Sequence, residues 1–347
     1  MKNKKTKIKI SVIVCTYNRS KKIENCLKAL LRQSLDKDEY EIIVVNDGST
    51  DNTEKILKKY SVKTITNITN KGLAESRNIG TLKSTAKILA FTDDDCVPDK
   101  HWLKNILSAY TDRKIIAVGG KIVPLRLNHL LLKYYSLYNP LAHLASDSYK
   151  LSYPLYNLFQ YFKRTFYLHE LLDTQNHLYL IIGANMSMRR STYNLVGGFD
   201  KDLKFGGEEE DFWIKVNKLM PKAILKYAPN ALIKHDYEPS FIKALKQNYR
   251  YGTGGAKLYI KSKERTPTIY PFPIIILFFL ILALLNNSFI LIICSLVIIF
   301  NLGWIRIAII KKKPFYLFYF LIQVSLEAAN TYGFMKSYLL NTCIKYI

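Results

Sequence analysis

Three carboxylates, Asp93, Asp94 and Asp95, follow without a break on the apolar run at residues 88–92. Side chains alternate along extended backbone, so Asp93 and Asp95 face the same way. Two carboxylates placed like this suit a hard divalent cation, Mg²⁺ or Mn²⁺, which prefers oxygen ligands and commonly shares them with a phosphate. Further acids close other strand or helix patterns: Asp47 after residues 41–46, and Glu208-Glu-Glu-Asp211 at the start of an amphipathic helix. With Arg77, His235 and Arg250 they make a set able to hold a base, a metal and a diphosphate. The plain alternatives are a solvated acidic turn, a salt-bridging arginine and a structural histidine. Hydrolase signatures are absent: there is no GxSxG, no HExxH and no recognised Cys–His spacing. Gly252-Thr-Gly-Gly255 is not a phosphate loop, because no Lys-Ser/Thr follows it.

The elements that must position these groups alternate. Residues 8–15, 41–46, 62–67 and 88–92 read as strands, and residues 21–33, 51–60 and 73–84 as helices between them. Short links between strands and helices predict a doubly wound α/β domain with ligands at the strand ends. A helix is expected near 101–111, strands at 115–118 and 121–124, and a further strand at 179–183. A helix follows from 208 to 219, and a late strand at 231–236 carries His235. A basic helix from 240 to 263 is expected to break at residues 252–255. Residues 125–177 form a Tyr-, Leu- and Phe-rich insertion, read either as interfacial helices or as helices packed on the sheet.

Lys and Arg number 51 against 27 Asp and Glu, a net charge of +24. Such an excess calls for a polyanionic partner, nucleic acid or the anionic face of a membrane. Residues 266–305 contain no Asp, Glu, Lys, Arg or His. One charge costs about 2.5–3.5 kcal/mol at the centre of a membrane helix, and so long a gap has little place on a soluble surface. A transmembrane hairpin is therefore predicted, with spans at 268–285 and 289–310 split by Asn286-Asn287-Ser288. Residues 315–340 form an interfacial or re-entrant segment. Lys311, Lys312 and Lys313 mark a cytoplasmic exit, so both flanks of the hairpin are expected there. Membrane lipids then account for the charge, and no nucleic-acid partner is needed. The five cysteines show no metal spacing, which fits a reducing compartment. The apolar run at 10–15 is too short for a signal peptide.

Six short stretches in order resemble a family 2 glycosyltransferase of the GT-A fold, over about residues 8–255. They are Val12-Ile-Val-Cys-Thr-Tyr-Asn-Arg19, Ile43-Val-Val-Asn-Asp-Gly-Ser-Thr-Asp51, Asn70-Lys-Gly-Leu-Ala-Glu-Ser-Arg-Asn-Ile-Gly80, Phe91-Thr-Asp-Asp-Asp95, Gly183-Ala-Asn-Met-Ser-Met-Arg-Arg190, and Gly198-Phe-Asp with Gly207-Glu-Glu-Glu-Asp211. The resemblance implies a Rossmann-like GT-A domain over 1–265 and a membrane-anchoring region over 266–347. It implies a nucleotide-diphosphate sugar donor, inversion at the anomeric carbon, and a divalent metal cofactor. Thr16, Tyr17, Asn18 and Asp47 are then expected at the nucleoside, and Arg77 at the base or phosphates. Asp93 falls at the ribose and the metal, Asp95 and His235 at the metal, and Arg250 at the diphosphate. Asp211 matches the general base, with Glu210 its rival. Gln247-Asn-Tyr-Arg-Tyr251 has Tyr where processive synthases carry Trp, which implies a single sugar addition. The acceptor is expected to be a lipid-linked or membrane-proximal glycan. A soluble or protein acceptor, and an inactive nucleotide-binding scaffold, are the alternatives.

Overall fold

A computed structural model describes residues 8–145, 154–167, 177–203, 206–262 and 269–343. Parts of the expected insertion (146–153 and 168–176), and the start of the first expected span at 268, lie outside them. Strands β1 (Ile10–Thr16), β2 (Tyr40–Asn46), β3 (Lys63–Thr66) and β4 (Ile88–Asp93) form the parallel half of a ten-stranded sheet. Helices α1 (Ser20–Leu30), α2 (Thr53–Leu57) and α3 (Leu73–Leu82) link them. β1 and β4 are almost wholly apolar and buried on both faces, the pattern a parallel central strand requires. The register sets Cys15 opposite Asp93 and Thr16 opposite Asn46, so three strands end at one level.

The second half of the sheet is mixed. β5 (Cys96–Pro98) and α4 (Trp102–Ala109) lead into β6 (Ile115–Pro124), a single strand where two short ones were expected. After α5 (Leu130–Leu137), β7 (Leu144–Ala145), α6 (Pro154–Tyr167) and β8 (His177–Leu180) comes β9 (Met186–Arg189), antiparallel to β4 and β6. Next are α7 (Arg190–Val196), α8 (Glu208–Leu219) and β10 (Ile224–His235). The strand order is β3-β2-β1-β4-β9-β6-β10-β8-β7, and β5 pairs antiparallel with β10 so that His235 lies opposite Cys96. This is the GT-A-like mixed α/β sheet that the motifs implied. One apolar core lies on each face, with Ile23, Leu27 and Trp102 on one side and Phe91, Phe212 and Trp213 on the other.

Four helices complete the chain: α9 (Phe241–Ser262), α10 (Pro271–Ala283), α11 (Phe289–Lys311) and α12 (Tyr319–Cys343). The expected break in α9 is absent. Its glycines serve close packing instead: a Cβ on Gly252 would collide with the Asn330 carbonyl of α12, and one on Gly333 with the Tyr249 carbonyl of α9. Gly303 likewise lets α11 meet α6 at the Thr165 carbonyl. Aromatic and leucine side chains of α5, α10, α11 and α12 form a third core around Tyr134, Phe272, Phe300 and Trp304.

Among the described residues α11 is the one helix long and apolar enough to cross a membrane. α10 has 13 residues, about 20 Å of helix, against about 30 Å of bilayer hydrocarbon. The hairpin predicted with spans at 268–285 and 289–310 is thus one long helix and one short one. α12, over most of the segment expected to be interfacial or re-entrant, is a continuous helix held along α9 by the two glycine crossings.

Candidate active site

The sheet delivers the acidic cluster to the carboxyl ends of β1 and β4. Asp93 ends β4, and β5 turns back beside β10, which brings His235 to Asp95 (Nε2 to Oδ1, 3.3 Å). Ligand atoms of Asp93, Asp95, Cys96 and His235 lie within 4.8 Å of one another. Burial holds the Cys96 thiol well above its usual range, so it remains protonated and is a poor ligand for a hard cation. Two carboxylates and an imidazole remain, a donor set that Mn²⁺ or Mg²⁺ accepts. The fit is supported by His235 itself: its Nδ1 is buried without a hydrogen-bond partner, and its ring stacks on Tyr237 at 4.2 Å. Burial and the neighbouring Asp95 raise the Asp93 carboxyl, while Arg77 opposes the shift. Asp94 faces the other way and accepts from Thr16 Oγ1 at 2.7 Å. Burial pushes it up to about 7, with the Asp95 charge adding.

Arg77 projects from α3 into the centre of this site and is 2% exposed. It donates to Glu209 (2.8 Å) and Glu208 (3.1 Å) of α8 and to Asp93 (3.4 Å). Three carboxylates clamp the guanidinium, because a buried guanidinium must be neutralised by its neighbours. Glu208 is pushed up to about 7 by burial and by the charge of Glu209, against the pull of Arg77. Glu209 also accepts from the Gly183 amide at 2.8 Å. Gly183 must lack a side chain, since a Cβ there would strike the Arg77 guanidinium and the Glu209 carboxylate.

Of the four acids opening α8, the one joined to Arg77 and Gly183 is therefore Glu209. Asp211, the expected base, is 4% exposed and pairs with Lys215 one turn on, at 2.6 Å. Successive helical residues rotate about 100°, so Asp211 lies on the far side of α8 from Glu209. Glu210, its rival, is buried on the turn between them. The sequence signal for Glu209 existed, as one of four consecutive acids. Choosing among them required the rotation of α8 about its axis.

The residues expected at the nucleoside divide. Tyr17 is 45% exposed, directly after the end of β1. Asn18 takes a left-handed φ of 52°, and its Oδ1 accepts from the amides of Thr50 (2.8 Å) and Asp51 (3.3 Å), locking the first loop to the second. Asp47 is buried rather than open to the cleft. Its carboxylate accepts from the Asn67 side chain and from the Lys71 and Gly72 amides, at 2.7–2.9 Å, and so holds the loop before α3. Arg250 lines an open cleft of about 430 Å³ beside Asp95 and His235, together with Arg19, Lys22, Lys243 and Lys246. Arg19 and Lys22, which the motifs did not single out, reach Asp95 at 3.3 and 3.5 Å.

Comparison with known proteins agrees with this architecture. The family model described as glycosyl transferase family 2 matches residues 11–195. The chain is 34% identical over 118 residues to glycosyltransferase AglE of Haloferax volcanii, a match spanning 33% of this chain and 39% of that protein. An uncharacterized glycosyltransferase of Haemophilus influenzae is 26% identical over 268 residues, covering 70% of this chain and 73% of the relative. Among solved structures, the mannosyltransferase PcManGT of Pyrobaculum calidifontis, in complex with GDP-Man and Mn²⁺, superposes with a TM-score of 0.58. It covers 94% of this chain and 87% of its own at 17% identity, a likeness of fold. With the family model matching more than half of its length, the chain belongs to glycosyltransferase family 2.

Proposed function

We propose that the chain moves one sugar, with inversion, from a nucleotide-diphosphate donor to a lipid-linked or membrane-proximal acceptor. The observation that carries this reading is the meeting of Asp93, Asp95 and His235 with the Arg77–Glu209 pair, from β4, β10, α3 and α8, at one end of the sheet. The donor's nucleoside lies over the β1 and β2 ends by Tyr17. Its diphosphate faces Arg19, Lys22, Lys246 and Arg250, whose charges offset its own. Asp93, Asp95 and His235 would hold a divalent cation, which supplies charge neutralisation for the departing nucleoside diphosphate.

Inversion needs a base across the cleft from that cluster. Glu209 takes this role in place of Asp211 or Glu210, for Arg77 and the Gly183 amide hold its carboxylate in one orientation. The acceptor hydroxyl loses its proton to Glu209 as its oxygen bonds to the anomeric carbon, and the carbon–oxygen bond to the diphosphate breaks on the opposite face. The apolar α10–α11 hairpin supports a position at the membrane, with the catalytic cleft on the cytoplasmic side marked by Lys311, Lys312 and Lys313. Membranes carrying the chain, incubated with a panel of nucleotide sugars and Mn²⁺, are expected to release nucleoside diphosphate. Release that persists undiminished in EDTA, or no release from any donor, refutes the reading.

A further inference from the structure

Behind the catalytic cleft lies a second chamber, of about 100 Å³, enclosed by α5, α9 and α12. Tyr135, Pro140, Asn248 and Tyr251 line both spaces, so the two adjoin there. Tyr251 stands at this junction. It accepts from Gln247 at 2.6 Å, burial keeps its phenol protonated, and the nearby charges of Asp93 and Glu209 add to that.

The inner chamber differs in chemistry from the outer cleft. Cations line the outer one, whereas the inner one presents acceptors. Asn330 is 6% exposed, and its Oδ1 has no hydrogen-bond donor. Beside it, Glu327 accepts from Tyr161 (2.7 Å) and Gln323 (2.8 Å), and Gln323 in turn accepts from Trp304 (2.8 Å). A buried acceptor left unpaired loses its hydration without recompense, so Asn330 calls for a ligand that donates. Tyr134, Tyr135 and Tyr138 supply the remaining walls with aromatic faces.

From this we infer that the chamber between α5, α9 and α12 binds the terminal sugar of the acceptor, a neutral ring bearing hydroxyl groups. The inference rests on the glycosyl-transfer reading above and adds to it the acceptor's class and seat. Hydroxyls donate to Asn330 Oδ1, and the C–H face of a pyranose packs on tyrosine rings. A phosphate head group is disfavoured there, because it brings only acceptors and a like charge toward Glu327; the cations that suit it are in the outer cleft. At about 30 Å³ per water, the chamber admits one edge of a ring. The rest of the ring occupies the junction at Tyr251, with the reacting hydroxyl toward Glu209.

The test uses the full chain in nanodiscs, the nucleotide-sugar panel, and two kinds of probe acceptor: a set of octyl glycosides and octyl phosphate. An octyl glycoside is expected to raise nucleoside diphosphate release and to gain one sugar by mass, while octyl phosphate does neither. Asn330→Leu removes the acceptor oxygen at similar size, and Leu326→Trp fills the chamber. Each is expected to raise the KM for the glycoside, by about tenfold for loss of one buried hydrogen bond. The donor KM measured alongside separates lost acceptor contacts from a distorted fold. The inference is overturned if octyl phosphate is the probe extended, if no glycoside is extended although donor is consumed, or if both variants keep the wild-type acceptor KM. No donor consumption under any condition overturns the transfer reading as well.

Discussion

The sheet and the C-terminal helices obey opposite burial rules. In β1, β2 and β4 most of the buried side chains are apolar, Val and Ile above all, and charged groups gather at the strand ends. In α12 the buried side chains include Gln323, Glu327, Asn330 and Thr331, while Leu321, Leu339 and Leu340 are more than half exposed. In α10 and α11 every residue from 273 to 299 is at least partly exposed, without one charge among them. Under the membrane position proposed above, the two regions face different solvents. Water drives the sheet's apolar residues inward. An apolar surround removes that drive and leaves hydrogen bonding and close backbone approach to hold helices together. The glycine crossings of α9 with α12, and of α11 with α6, add close backbone contact to the aromatic core of the second region.

This contrast is open to test on both sides, and the largest effect is expected where the sheet assembles its site. Glu209→Gln keeps the shape of the side chain and removes the base. Transfer is expected to fall about 10²–10⁴-fold, with donor binding by calorimetry close to wild type. Asp211→Asn is expected to stay within a few-fold. If the two variants exchange behaviours, the far side of α8 carries the base and the placement of Glu209 is wrong.

Next comes the cation cluster. Asp95→Ala is expected to lower the rate about 10²–10³-fold and to abolish the difference in nucleotide affinity with and without EDTA. Equal affinities in wild type under both conditions would remove the metal from the scheme.

The helical side gives a smaller effect of another kind. Leu277→Asp on α10 is expected to cost about 2.5–3.5 kcal/mol of membrane insertion, read as release of the chain from membranes by carbonate. A polar substitution at Leu82, still more exposed but on the sheet domain, is expected to release nothing. Identical behaviour of the two variants would mean that both surfaces face water, and the contrast would collapse.

The smallest effect is a pH dependence at the seam. His143 is buried, its Nδ1 accepts from the Ile182 amide at 3.0 Å, and its Nε2 donates to the Gly120 carbonyl at 2.6 Å. Burial lowers its pKa from 6.5 to about 4, since a second proton has no acceptor. Below pH 6.5 the unfolded chain binds that proton and the folded one does not. Stability is thus complete above pH 6.5 and falls as pH drops toward 4, by up to about 1.4 kcal/mol per pH unit. His143→Gln is expected to flatten the fall of Tm between pH 6.5 and 4. An unchanged slope would mean that His143 is protonated in the fold.

Much of this was legible in the amino-acid order. Apolar runs announced β1, β2 and β4, and the acids closing the last two announced Asp47 and the Asp93–Asp95 pair, because strand burial and side-chain alternation are local properties. The same was true of the uncharged stretch that becomes α10 and α11. What the order left open depends on residues far apart. Glu209 faces the site because Arg77, 132 positions earlier, and Gly183 hold it; a run of four acids is the same whichever way α8 turns. Asp47, expected at the nucleoside, binds the loop before α3 through the Asn67 side chain and the Lys71 and Gly72 amides, partners that its own neighbourhood in the sequence does not contain. The glycines at 252–255 looked like a break and proved to be a crossing point, since their partner, α12, lies some eighty residues on. Residue type and period along the chain determined which elements form and where acids and apolar surface lie. The rotation of each helix and the partner of each buried charge were decided only by tertiary contacts, because those are set by neighbours that the local sequence does not contain.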